Sequence, residues 1–193
     1  VGYNVMPDRI EVGTLLCMSA ITGGEIVVNN VNSEHITPII HKLEETGSKI
    51  IVDKNKVILK GTKKIKAIDI KTMPYPGFPT DMQSLFVSIL TVAKGTSMIV
   101  ENIFENRYKY VNELVRMGAK IKIEGKVAIV KGVRKLVATE VNATDLRGGA
   151  AMCTAALVAK GVSKINNIEH ILRGYENLDK KLIKLGANIK VQN

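Results

Sequence analysis

Tryptophan is absent from this 193-residue chain, aromatic residues make up 4% of it, and cysteine occurs only twice. Two thiols, Cys17 and Cys153, cannot build a disulfide framework, so a reducing, cytoplasmic setting fits the sequence. No apolar run approaches the roughly 20 residues of a membrane helix, and no secretory leader opens the chain; no membrane partner is expected. The histidines His35, His41 and His170 lack metal-ligand spacing, so neither a metal nor a cofactor is expected. What is present is ordinary for a globular protein: 46% apolar and 24% charged residues, which excludes disorder and collagen-like repeats. The first residue is Val1 rather than Met, and strand-like sequence follows at once, as expected of a piece of a longer protein.

Acidic residues are outnumbered, 18 against 28 basic ones, and the net charge is +10. The excess is +2 over 1–66, +5 over 67–137 and +3 over 138–193, so there is no basic tail. A basic protein attracts polyanions, and nucleic acid is one candidate. Few aromatics are available for base stacking, and no nucleic-acid-binding motif is present. Small anionic substrates satisfy the same charge.

A repeat organises the sequence. Three apolar helical stretches, Ile10–Thr22, Met82–Ala93 and Leu146–Ala159, each lead through a small-residue turn into a β-branched strand. The turn glycines Gly24, Gly95 and Gly161 are 71 and 66 residues apart. A second helix follows each strand and ends at Gly47, Gly118 or Gly186, positions suited to a left-handed helix terminus. An alternating strand comes next: Ser48–Val52, Ala119–Glu124 and Ala187–Val191. The first two copies add a hairpin partner, Lys56–Lys60 and Lys126–Lys131. A short strand also precedes each unit, at Tyr3–Val5, Ala67–Lys71 and Thr139–Asn142. The expected architecture is α/β: one domain over 1–193 made of three β-α-β-α-β-β repeats, 1–66, 67–137 and 138–193. The first helices are apolar around most of their circumference, which places them inside with the sheets outside. The third copy ends after Val191 without its last strand, which leaves an open sheet edge or requires a strand from elsewhere.

Repetition makes unusual residues visible. Each first helix opens at an aspartate, Asp8, Asp81 or Asp145, and capping is the simplest role for each. Arg9 and Arg147 lie in first turns, where the helix dipole disfavours cations; a bound anion or a facing carboxylate would explain them. Arg107 and Arg173 each fall 12 residues after the turn glycine of their unit. Two arginines at one repeated place point to a shared end of the domain that holds phosphate or carboxylate. A nearby carboxylate such as Asp81 could serve as a general base toward a hydroxyl.

Five strings, Pro7–Thr14, Phe78–Gln83, Phe104–Tyr108, Ala143–Arg147 and Arg173–Glu176, together resemble the UDP-N-acetylglucosamine 1-carboxyvinyltransferase family of enolpyruvyl transferases. The resemblance runs through essentially the whole chain. It implies a two-domain enzyme in which each domain is an inside-out α/β barrel, with this chain the second domain and the other one absent. The partner is then the N-terminal domain of the same enzyme, whose first strand crosses over to complete the third sheet. The implied reaction transfers enolpyruvyl from phosphoenolpyruvate to the 3-hydroxyl of UDP-N-acetylglucosamine and releases phosphate, the first committed step of peptidoglycan synthesis. On this resemblance Asp81 contacts and deprotonates the hydroxyl, and Ile103 makes a backbone contact to the UDP-sugar. Arg107 and Arg173 surround phosphoenolpyruvate, and Asp145 and Arg147 line the same cleft. The family's reactive cysteine belongs to the other domain; Cys17 and Cys153 lie inside first helices and read as small core residues. On this view the chain alone is inactive. A nucleic-acid-binding or RNA-processing module on a related repeat fold is the competing reading, and an inactive repeat protein a third.

Overall fold

The computed structural model describes residue 2 and residues 5–192. The strand expected at Tyr3–Val5 falls largely outside these. The first unit contains α1 (Arg9–Thr22), β1 (Glu25–Asn29), α2 (Thr37–Glu45), β2 (Lys49–Asp53) and β3 (Lys56–Lys60). The second contains β4 (Ile70–Lys71), α3 (Gln83–Leu90), β5 (Thr96–Val100), α4 (Val111–Arg116), β6 (Lys120–Glu124) and β7 (Val127–Lys131). The third contains β8 (Glu140–Asn142), α5 (Leu146–Ala156), β9 (Lys164–Asn166), α6 (Glu169–Leu172) and α7 (Leu178–Lys184). A helix, a strand and a further helix recur in this order in all three stretches. Gly47, Gly118 and Gly186 all have positive φ, at 101°, 90° and 97°, as the helix-ending role requires.

The first helices α1, α3 and α5 pack on one another. Every residue of α3 is buried, Gln83 and three polar or aromatic neighbours included, so it has no solvent face. Two of its serines replace apolar contacts with hydrogen bonds across to α5: Ser84 Oγ donates to the Arg147 carbonyl at 2.9 Å and Ser88 Oγ to the Ala151 carbonyl at 3.0 Å. Because these two bonds lie one helical turn apart on both partners, α3 and α5 run in the same direction. Gly148 and Gly149 make room on other sides of α5: an added Cβ would lie 3.0 Å from the Tyr110 Cβ at the first and 2.5 Å from the Ile171 Cγ1 at the second.

The sheets show why one expected strand did not form. In the first sheet the order is β1-β3-β2, and in the second β4-β5-β7-β6. In both, the hairpin partner that comes last in sequence lies between the other two, and β2 and β6 bond only to it. Among the described residues, the third unit shows no such central strand. Ala187–Val191 accordingly pairs with nothing among the described residues, and β9 bonds only to β8. The expected strand at Ala187–Val191 is thus corrected to irregular chain. The physical reason is that a strand needs a neighbour for its N–H and C=O groups. The second helix of the third unit is also not continuous. It breaks between α6 and α7, and Arg173 and Gly174 fall in the break.

Candidate functional site

Since α3 and α5 are parallel, their N-termini share one end of the domain. Thr14, near the start of α1, reaches the same end, its hydroxyl 3.0 Å from the Tyr175 hydroxyl. Converging helix N-termini carry partial positive charge and unpaired N–H groups. Two of the three aspartates there are caps. Asp8 accepts from Ile10 N–H at 2.8 Å. Asp145 accepts from the N–H groups of Arg147 and Gly148, both at 2.9 Å.

Asp81 is different. It lies within a short 3-10 turn, Thr80–Met82, that is preceded by Pro79 and makes no side-chain cap. Its carboxylate is instead held between two arginines from distant parts of the chain. Arg107 Nη2 donates to Asp81 Oδ1 at 2.8 Å, and Arg147 Nη2 to Asp81 Oδ2 at 3.4 Å. The arginine side chains are 8% and 15% exposed, whereas that of Asp81 is 40% exposed. Guanidinium groups buried to this degree need partners, and Asp81 supplies one to each.

Each arginine is steadied from behind. Arg107 Nε donates to Thr80 Oγ1 at 3.1 Å, and the guanidinium lies 4.4 Å over the Phe104 ring. Arg147 Nη1 donates to the Tyr175 hydroxyl at 3.2 Å. Tyr175 is 1% exposed, so it carries this polar contact into the core. Burial pushes the Asp81 carboxyl up in pKa, but charge and hydrogen bonds from Arg147, then Arg107, outweigh it, and the net pKa lies below its ordinary value. Asp81 is therefore an ionised carboxylate whose two oxygens are already occupied by cations.

The other expected residues divide. Asp145 stands two residues before Arg147, but its carboxylate is engaged in capping α5. Ile103 lies in the exposed turn after β5, and its N–H donates to Glu101 Oε1 at 2.9 Å. Arg173 is exposed in the break between α6 and α7 and joins no ion pair among the described residues. The structure thus brings Asp81, Arg107 and Arg147 together, and Arg173 is not among them. Arg9 is explained differently from either expectation: it stacks 5.3 Å over the Tyr75 ring. Burial raises the Cys17 thiol well above its ordinary pKa and pushes the Cys153 thiol up to about 12, so neither is a thiolate at neutral pH.

Three contributors were not singled out from the sequence: Thr80, Tyr175 and Glu101. Thr80 and Tyr175 stood in the quoted strings without a role. Glu101 had only one signal, an acidic residue directly after an apolar strand. Two surface hollows, of about 480 and 310 Å³, are lined by other residues. The Asp81 carboxylate, partly exposed, is the part of the cluster that reaches solvent, whereas the two guanidinium groups lie largely behind it.

The family model for EPSP synthase (3-phosphoshikimate 1-carboxyvinyltransferase) matches residues 1–182. UDP-N-acetylglucosamine 1-carboxyvinyltransferase 1 of Caldanaerobacter subterraneus subsp. tengcongensis is 52% identical over 187 residues, which span 97% of this chain and 45% of that protein. The UDP-N-acetylglucosamine 1-carboxyvinyltransferase of Desulfofundulus thermocisternus is 51% identical over 187 residues, 97% of this chain and 77% of that one. Among solved structures, the enolpyruvyl transferase NikO from Streptomyces tendae superposes with a TM-score of 0.88 at 26% identity, covering 97% of this chain and 45% of its own. The chain spans about half the length of most of these relatives. No helix of the described residues is long and apolar enough to cross a membrane. By family model, by sequence and by fold, the chain belongs to the EPSP synthase family, with the UDP-N-acetylglucosamine 1-carboxyvinyltransferases.

Proposed function

We propose that this chain is the second domain of a cytoplasmic enolpyruvyl transferase that uses phosphoenolpyruvate and UDP-N-acetylglucosamine. The observation that carries this reading is the partly exposed Asp81 carboxylate clamped by the buried guanidinium groups of Arg107 and Arg147. The three units form an inside-out barrel on this reading, supported by the mutual packing of α1, α3 and α5. The missing N-terminal domain closes this face of the domain into a cleft and lends its first strand to the gap beside β9.

The chemistry follows from who holds the arginines. Before substrate arrives, Asp81 neutralises them and is a weak base for the same reason. A phosphate or carboxylate entering the face competes for the guanidinium groups and offers bidentate geometry of its own. As the arginines turn to the anion, Asp81 loses the partners that lower its pKa, and burial, which raises it, is left. The carboxylate becomes basic when a sugar hydroxyl is there to deprotonate. The hydroxyl oxygen then bonds to C2 of phosphoenolpyruvate while C3 takes up a proton. Loss of that C3 proton with expulsion of phosphate restores the double bond. The arginines balance the charge of the leaving phosphate. Arg173, exposed and in no ion pair among the described residues, remains available to phosphoenolpyruvate once the second domain is present, and Ile103 makes a backbone contact to the UDP-sugar.

Phosphate release is the direct test. The full-length enzyme is expected to release phosphate only when both substrates are present, and this chain alone to release none. Turnover by the chain alone would refute the two-domain reading. A second expectation concerns pH. A carboxylate with a lowered pKa stays charged down to that value, and its ion pairs are lost as pH falls through it. Arg147→Met removes a lowering influence and leaves burial in place, so the Asp81 titration followed by carbon-13 NMR should move upward. An unmoved titration would show that Arg147 does not govern Asp81.

A further inference from the structure

Glu101 directly follows β5 and is 4% exposed, yet it joins no ion pair among the described residues. Its carboxyl group is satisfied by hydrogen bonds, and the two oxygens have separate tasks. Oε1 accepts from the Thr72 hydroxyl at 2.8 Å and from the N–H groups of Ile103 and Phe104 at 2.9 and 3.0 Å. Oε2 accepts from the Thr80 hydroxyl at 2.9 Å. Having donated its proton there, Thr80 Oγ1 presents a lone pair to Arg107 Nε–H at 3.1 Å. Arg107 Nη2 then meets Asp81 at 2.8 Å.

We propose that Glu101 is a positioning residue that acts through Thr80 to aim the Arg107 guanidinium at Asp81 and at the anion that competes for it. Its catalytic consequence rests on the transferase reading; the relay itself does not. Holding the turn at Ile103 and Phe104 needs only one acceptor oxygen, which a glutamine could supply. The second oxygen serves Thr80 alone. In Glu101→Gln the three donors around Oε1 require the amide oxygen on their side. The amide nitrogen therefore faces Thr80, and the hydroxyl loses its acceptor. Its proton is then free to point at Arg107, donor against donor.

The Asp81 titration reads this relay without any turnover. In the full chain, Glu101→Gln and Thr80→Val are each expected to raise it, because Arg107 is no longer held on Oδ1. The double variant should shift it no further than either single one, since both changes cut the same relay. Thr80→Ser keeps the hydroxyl and should keep the titration low. In the full-length enzyme the first two variants should also lower kcat/KM for phosphoenolpyruvate by about tenfold or more, the scale of one hydrogen bond to a charged group. If Glu101→Gln does not fold, Thr80→Val carries the test. An unchanged titration in Thr80→Val, or shifts that add in the double variant, would overturn the proposal and leave Glu101 as a turn-holding residue. Shifted titrations in a full-length enzyme without transferase turnover would instead remove the transferase reading and leave the relay standing.

Discussion

Asp81→Asn in the full-length enzyme is expected to lower kcat by about 10²–10⁴-fold, the range for losing a general base. The pattern of the loss matters as much as its size. Asparagine cannot take the sugar proton, and its amide nitrogen would face one of the two guanidinium groups that now sit 2.8 and 3.4 Å from the carboxylate oxygens. Arg107 and Arg147 are thereby freed for an incoming anion. The KM for phosphoenolpyruvate should hold or fall while kcat collapses. A residue that merely stabilised the fold or gripped the substrate would raise KM instead. Steady-state kinetics separate the two cases. An unchanged kcat, or a loss confined to KM, would remove Asp81 from the proton transfer.

Why Asp81 and not Asp8 or Asp145 is a question the sequence poses without answering. All three open an apolar helix, and capping is read from the few residues that follow. That local logic holds for Asp8 and Asp145, whose partners lie two and three positions away. The partners of Asp81 are 26 and 66 residues distant; the packing of α3 against α5 brings Arg147 to it, and the packing of the 3-10 turn Arg107–Tyr110 on the same helices brings Arg107. Arg173 shows the opposite failure. Its equal spacing with Arg107 promised an equal place, but Arg107 opens a 3-10 turn and is buried, whereas Arg173 falls in a helix break. Spacing counts residues; it does not register a break of the helix between two of them. Helix-ending glycines and β-branched strands, by contrast, are dictated by neighbours in sequence, which is why the three units were legible. Ala187–Val191 has the right alternation, and what it lacks is a partner. Glu101 and Thr80 give no such signal, because a hydrogen bond across 21 residues leaves no periodic trace in the sequence.

Gly132→Ala is expected to cost the second unit most of its stability. Gly132 follows β7 where the chain turns onto the end of α3. A methyl group there would overlap the Ala93 carbonyl oxygen and lie 2.7 Å from its carbon. The obstacle is backbone, so no side-chain rotation relieves it. Nor can the chain slide away freely, because Gly132 N–H donates to the Gly95 carbonyl at 3.0 Å and Val133 N–H to the Thr91 carbonyl at 2.7 Å. Relief means lifting the end of β7 from α3, which would break both bonds and uncover Val130 and Leu136, each 0% exposed. A loss above about 4 kcal/mol falls in the class of severe core defects and consumes much of a domain's usual margin. Gly61 is its counterpart in the first unit, where the added methyl would approach Gly23 backbone at 2.9–3.0 Å, a milder clash. At Gly118 nothing lies within 4 Å, and only the positive φ is strained. Urea unfolding of the three alanine variants should therefore rank Gly132 worst, Gly61 intermediate and Gly118 mildest. A Gly132→Ala protein within about 1 kcal/mol of the parent would contradict this contact between sheet and helix. Gly61 also separates fold from chemistry. It meets α1 at Gly23, beyond the C-terminal end of that helix, whereas Asp81, Arg107 and Arg147 gather at the N-terminal end of the bundle. Gly61→Ala in the full-length enzyme should lower stability while kcat per folded molecule stays near the parent value, the reverse of the Asp81→Asn pattern.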